Sequence, residues 1–221
     1  MRRLPVVLAL VVPLAARAEL TFPVPAGWVD LSPGAAEENF RDLPPEFQKT
    51  LKSGQFKAFA FDVAHTESGF TPNFNAVAMD PPIRITAERQ EELVRALFGP
   101  IERGLPGAAL VEKGLVEVDG VKALRIVYDS AQGGTPLRQM AVLVPGVPNS
   151  AVVTYTALRG QFAELRPAFE AHLATVRGAQ EGRSRGSFDW ESVLRAAVVG
   201  GIGGALVGVG LKLFRKKKQQ G

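Results

Sequence analysis

The sequence predicts an α+β fold, an antiparallel sheet flanked by helices, followed by one C-terminal transmembrane helix. Three observations carry this. Apolar strands are joined by tight turns at Asp119-Gly120 and Gly133-Gly134, which ties neighbouring strands antiparallel. Two stretches with apolar residues at helical spacing stand apart from that strand run, unlike a doubly wound sheet. Residues 196–211 carry no charge and are followed by Lys212, Arg215, Lys216, Lys217 and Lys218.

The elements follow in order. Residues 20–24 and 28–31 read as two short strands around Pro25-Ala26-Gly27. Pro44-Pro45 opens a helix to Leu51, since proline suits a first turn. Residues 56–63 form a strand with Phe59 and Phe61 on one face, and 74–79 form another, closed by Asp80-Pro81-Pro82. Thr86 is the expected N-cap of a helix whose stripe is Leu93, Leu97 and Ile101, with Val94 and Phe98 beside it. Pro100 is expected to bend or shorten it.

Strands 108–118 and 121–128 meet across Asp119-Gly120, where a type I′ turn needs positive φ at both central residues. Leu124, Ile126 and Tyr128 share a covered face; Ala123, Arg125 and Val127 share a partly covered one. Strands 137–144 and 151–155 follow. The last helix, 165–176, repeats Phe162, Leu165, Phe169, Leu173 and Val176 at helical spacing, with Pro167 in its first turn. The expected order is β-β-α-β-β-α-β-β-β-β-α.

The two ends read as targeting segments. Met1-Arg2-Arg3, an apolar run over 4–15, and Ala16-Arg17-Ala18 have the three-part layout of a secretory signal peptide, 1–18. Residues 193–214 then form the span, short of the ~20 uncharged residues of a straight helix unless Lys212 snorkels its amine to the headgroups. Six glycines within 196–211 suit a bilayer better than a soluble core helix. The basic tail 215–221 belongs inside by the positive-inside rule, which places the globular part, 19–178, outside the cytoplasm. Where two membranes are present, that is the periplasmic face. The polar stretch 179–192 reads as a linker, with Phe188 and Trp190 as interfacial anchors.

The net charge of +4 misleads, because it comes from the ends. Residues 19–178 hold 15 Lys/Arg against 19 Asp/Glu, so no nucleic-acid footprint is expected. The absence of cysteine excludes a lipobox, thiol chemistry and cysteine zinc sites.

The exported Phe22-Pro-Val-Pro-Ala-Gly-Trp28 pair, a middle helix, a run of hairpins and a closing amphipathic helix resemble the PsbP-like superfamily, which includes DcrB-like proteins. The resemblance implies helices on both faces of a central antiparallel sheet, an α/β/α sandwich, and a non-catalytic accessory role.

Chemistry-bearing constellations are sparse. His65 and Glu67 make a minimal metal seed, short of the three or four ligands a site needs, so no metal or cofactor is expected. His172 sits beside the apolar seam of the last helix. Glu37-Glu38 and Glu91-Glu92 read as solvated pairs. Arg125 and Arg138, on adjacent strands, either form an anion patch, lie on a plain surface, or pair with Glu117 and Asp129. No G-x-S-x-G elbow or phosphate-cradling glycine turn occurs. The expected function is therefore a membrane-anchored, non-catalytic accessory module that assists an envelope protein assembly. The alternative is an extracytoplasmic hydrolase with a dispersed site. Expected partners are membrane lipid, an unidentified envelope protein, and a second copy through the anchor. That last expectation rests on Ala196, Gly200, Gly204 and Gly208, a small-residue row on one helix face.

Overall fold

The computed structural model describes residues 18–41, 43–52, 54, 56–105 and 107–182. Strands β1 (Val29–Asp30), β2 (Phe56–Phe61), β3 (Asn73–Met79), β4 (Ala109–Val118), β5 (Val121–Gln132), β6 (Thr135–Val144) and β7 (Ser150–Leu158) form one sheet. Helices α1 (Pro45–Leu51), α2 (Gln90–Gly104) and α3 (Phe162–Leu173) cover it. Strand order is β1-β2-β3-β7-β6-β5-β4, antiparallel throughout. The chain crosses from β3 by way of α2 to the far edge, then meanders back until β7 closes on β3.

Alternation along each strand builds the layers. Ala123 and Val127, with Phe74, Met140, Val153 and Tyr155, pack beneath Phe162, Leu165, Phe169 and Leu173 of α3. Leu124, Ile126, Tyr128 and Leu143 pack on the opposite face beneath Leu93, Leu97 and Ile101 of α2. Phe59, Phe61 and Val77 share that second face and meet Phe47 and Leu51 of α1. The expected sandwich with helices on both faces is therefore the observed one. The Asp119-Gly120 turn has φ of 50° and 77°, as a type I′ turn requires.

Two expectations need correction. Residues 20–24 are not a strand: only Thr21 forms a bridge, to Arg177. Pro23 and Pro25 have no N–H to give a ladder, so pairing stops at one residue. Helix α3 begins at Phe162 rather than 165. Pro167 thus sits in its second turn, where its missing N–H forgoes the bond to the carbonyl of Ala163.

The two ends of the described chain are stitched together. Thr21 and Arg177 exchange backbone bonds of 2.9 and 3.3 Å, and Gln180 donates its side-chain amide to the Ala18 carbonyl at 2.8 Å. Leu20 and Phe22 are buried beside Val176 and Ala179. The packing continues past Gly178: Gln180 N–H donates to the Pro145 carbonyl and Gly182 N–H to that of Ile83, both at 3.1 Å. Four residues assigned by composition to the linker are therefore attached to the sheet. Among the described residues no helix is long and apolar enough to cross a membrane. Residues 1–17 of the expected signal peptide lie outside the described residues. So do Phe188, Trp190, the span 193–214 with Ala196, Gly200, Gly204 and Gly208, and the basic Lys212, Arg215, Lys216, Lys217 and Lys218.

His172 locks this strap to the sheet. The Pro23 carbonyl can only accept, so Nε2 carries the proton, and Nδ1 accepts from the Tyr155 hydroxyl at 2.8 Å. The ring lies 4.4 Å from that of Phe74. Burial holds the imidazole pKa below its usual 6.5, against the opposing pull of the Pro23 carbonyl.

Two predictions follow from the strap. Gly178 has φ of 84°, and a Cβ there would lie 2.3 Å from the Glu19 carbonyl oxygen. Gly178→Ala therefore loses about 2 kcal/mol or more, read as a lower urea midpoint. Because His172 binds its proton more weakly folded than unfolded, stability falls as pH drops below 6.5 towards the folded value. His172→Gln, which keeps a donor for Pro23, flattens that slope, and urea midpoints measured across the window test it.

Candidate functional site

Three turns meet at the end of the sheet remote from Ala18 and Gly182. One is Ser68-Gly69, with φ of 49° and 80°, closed by Glu67 N–H to Phe70 carbonyl at 2.9 Å and the reverse bond at 2.7 Å. The second is the β5–β6 turn, where Gly133 and Gly134 have φ of 57° and 80°. The third joins β7 to α3, held by Arg159 N–H on the Pro136 carbonyl and Gln161 N–H on that of Leu158. Between them lies an open cleft of about 580 Å³.

The cleft is rich in acceptors. Glu67 and Glu164 bring carboxylates, Ser68 and Thr135 hydroxyls, and Pro136 and Leu158 an apolar floor. Gln161 donates its amide to the His65 carbonyl at 3.2 Å, while its Oε1 is buried without a partner among the described residues. Arg159, the cation of the lining, leans towards Asp129 at 3.9 Å. Hydrogen-bond donors and positive charge are what such a lining accepts best.

The residues singled out from sequence fall elsewhere. His65 pairs through Nδ1 with the buried Asp62 at 2.7 Å, not with Glu67. Among the described residues no three His, Asp or Glu side chains converge on a metal position. His172 is a structural latch. Glu91 is not merely solvated, since it holds Lys113 at 2.7 Å, and Glu37 holds Lys52 at 3.2 Å. Arg125 and Arg138 are paired, as one of the three readings had it. Arg138 takes both oxygens of Asp129 at 2.7 and 3.0 Å. Arg125 departs from expectation, meeting Glu112 and Glu170 rather than Glu117.

Arg166 completes that group, with both Nη atoms on Glu112 at 2.8 and 3.1 Å and Nε on Glu170 at 2.8 Å. Two guanidiniums and two carboxylates clamp α3 onto β4 and β5. The Arg166 bonds, aided by the charges of Arg125 and Arg166, hold the Glu112 carboxyl below its usual range despite burial. The cleft residues Ser68, Arg159, Gln161 and Glu164 were not foreseen. Serine before glycine at Ser68-Gly69 is the local signal that marks the turn of Ser68; no comparable local signal marks the other three.

On the α1/α2 face a buried polar belt separates the two apolar clusters. Asn73 lies opposite Thr156 and Asn75 opposite Thr154. Tyr128 donates to Gln139 Oε1 at 2.9 Å, and Gln139 donates to Ser130 at 3.0 Å. Burial raises the Tyr128 pKa far out of reach, so its hydroxyl stays a donor.

No protein-family model and no curated protein sequence matches the chain. Solved structures similar to it include cyanobacterial PsbP from Synechocystis sp. PCC 6803, at 11% identity over 74% of this chain and 94% of that one, TM-score 0.44. The fold is similar to that of PsbP. LpqN, involved in cell envelope biogenesis of Mycobacterium tuberculosis, is 16% identical over 71% of this chain and 81% of its own, TM-score 0.43. A protein of unknown function from Pseudomonas aeruginosa is 20% identical over 48% and 71%, TM-score 0.40.

The arginine clamp yields a prediction. Glu112→Gln leaves Arg125 and Arg166 facing each other with only Glu170 between them, at a cost of roughly 1–2 kcal/mol, between the exposed and buried limits for ion pairs. A carboxyl depressed in the fold stabilises above its unfolded value and loses that contribution as pH falls through the folded one. Wild-type and variant stabilities, measured by urea unfolding, therefore converge below pH 4.5.

Proposed function

We propose that this chain is a membrane-anchored, extracytoplasmic, non-catalytic binding module that holds an envelope protein at the cleft between its three turns. The observation that carries the reading is the placement of the chain ends. Ala18 and Gly182 leave beside Pro145 and Ile83, at one end of the sheet. The cleft lies at the opposite end of β6 and β7, about 27 Å away along a nine-residue strand. An anchor at 193–214 would hold the domain by the end of the sheet opposite the cleft. The acceptor-rich lining favours a partner segment carrying lysine, arginine or free amide N–H groups. The signal-peptide layout and the basic tail support the orientation.

The test has two parts. A phosphatase fused after Gly182 is active outside the cytoplasm and one fused after Gly221 is inactive; the reverse pattern sinks the orientation. Full-length protein is then used as bait on detergent-solubilised membranes, alongside Glu67→Lys/Glu164→Lys. A partner captured by the wild type and lost from the charge-reversed bait supports the cleft. Identical capture by both removes it, and ester or peptide turnover abolished by His65→Gln replaces the module with a hydrolase.

A further inference from the structure

The two edges of the sheet are unlike. Strand β1 is two residues long, too short to template another chain, whereas β4 presents ten residues as the last strand. Register decides which β4 groups face outward. Val118 and Val121 close the two-residue turn, so Val118, Val116, Gly114 and Glu112 bond to β5 opposite Val121, Ala123, Arg125 and Val127. The N–H and carbonyl groups of Lys113, Leu115 and Glu117 consequently point away from the sheet. The bulge between Leu110 and Glu112 limits regular pairing to 112–118.

We propose that β4 is the docking edge for a second copy of this chain, joined antiparallel about a twofold axis through Leu115. Charge selects the occupant and its register. Centring the axis on Lys113 sets lysine against lysine, and centring it on Glu117 sets glutamate against glutamate. Centring on Gly114 or Val116 opposes Leu115 to a charged residue. Centring on Leu115 places Lys113 against the partner's Glu117, and Glu117 against the partner's Lys113, all on one face. Leucine then meets leucine at the axis, and the outward groups of 113, 115 and 117 fall in hydrogen-bonded positions. Lys113 and Glu117 are both exposed, and the Lys113 bond to Glu91 is a surface pair that yields easily. The pairing joins two seven-stranded sheets into one and leaves the cleft untouched.

The chain has no cysteine, so single substitutions report cleanly in full-length protein in native membranes. Leu115→Cys brings two Cα atoms to about 5.5 Å, within disulfide range. Val111→Cys, also on β4, leaves them eight strand residues apart, roughly 26 Å. The expected result is an oxidised dimer from the first and not the second. Glu117→Lys, at an exposed position, opposes lysine to lysine twice across the axis. Because Glu117 also faces Lys122 on β5, the fold of this variant is first checked by urea unfolding against the wild type, with Glu117→Gln as the milder variant. Glu117→Lys weakens the full-length dimer about tenfold in sedimentation at fixed detergent. Equal cross-linking at both cysteines, as a dimer held only by the anchor would give, overturns the proposal. So does a Leu115→Cys adduct with a different protein, or a dimer insensitive to Glu117→Lys.

Discussion

The pairing of β3 with β7 is the constraint on which the rest of the fold depends. It is the one seam between an N-terminal group, β1-β2-β3, and a C-terminal meander, β4 to β7, and it runs through seven residue pairs without a break. Such a seam must be specified by side chains, because no turn sets its register. Phe74 and Ala76 point into the apolar layer under α3, while Asn73 and Asn75 point to the opposite face beside Thr156 and Thr154. A slip by one residue would drive two amides into that apolar layer and a phenylalanine into the polar belt. The belt thus adds specificity where an all-apolar face would tolerate either register.

The seam also explains why the strap at the chain ends matters. Phe74 packs tilted against His172, and His172 holds both Tyr155 of β7 and the Pro23 carbonyl. One imidazole therefore touches both strands of the seam, the last helix and the N-terminal segment. The arginine–glutamate group performs the same task at the other side of α3, tying it to β4 and β5. Helix α3 is clamped at both flanks, by a neutral group on one and a charged group on the other.

Legibility in the sequence tracked locality. The Asp119-Gly120 hairpin, the strand faces of β5 and the stripes of α2 and α3 follow from neighbours a few residues apart, and they stand as expected. The strand expected at 20–24 does not form because its apolar alternation is interrupted by Pro23 and Pro25, which lack the N–H groups a ladder needs. Helix α3 starts earlier than Pro167 suggests, because Phe162 and Leu165 already bury a turn ahead of it. The partners of Arg125 were missed for a different reason: Glu112 and Glu170 lie 13 and 45 residues away, joined only by the fold. The cleft was illegible for the same reason, since its lining comes from residues 67–68, 134–136 and 158–164.

Where recognition can occur follows from which surfaces the helices leave open. In this sheet α3 covers one face, and α1 and α2 cover the other, so neither face offers a groove made of strand side chains alone. What remains is the periphery: the turn end with its cleft, and the β4 edge with its outward backbone groups. The opposite end is occupied by residues 18–22 and 179–182, with Gln180 bonded to Pro145 and Gly182 to Ile83. Each open surface differs in chemistry. The cleft offers the carboxylates of Glu67, on a turn, and Glu164, in the first turn of α3, with a buried amide oxygen, suited to side-chain recognition. Strand β4 offers repeating backbone donors and acceptors framed by Lys113 and Glu117. A loop site can change its lining residues without disturbing the sheet, because Ser68, Gly134 and Gly160 belong to turns. An edge site cannot, since every second residue of β4 is also bonded to β5. The cleft lining can therefore vary more freely than β4, whose register is fixed by the strand beside it.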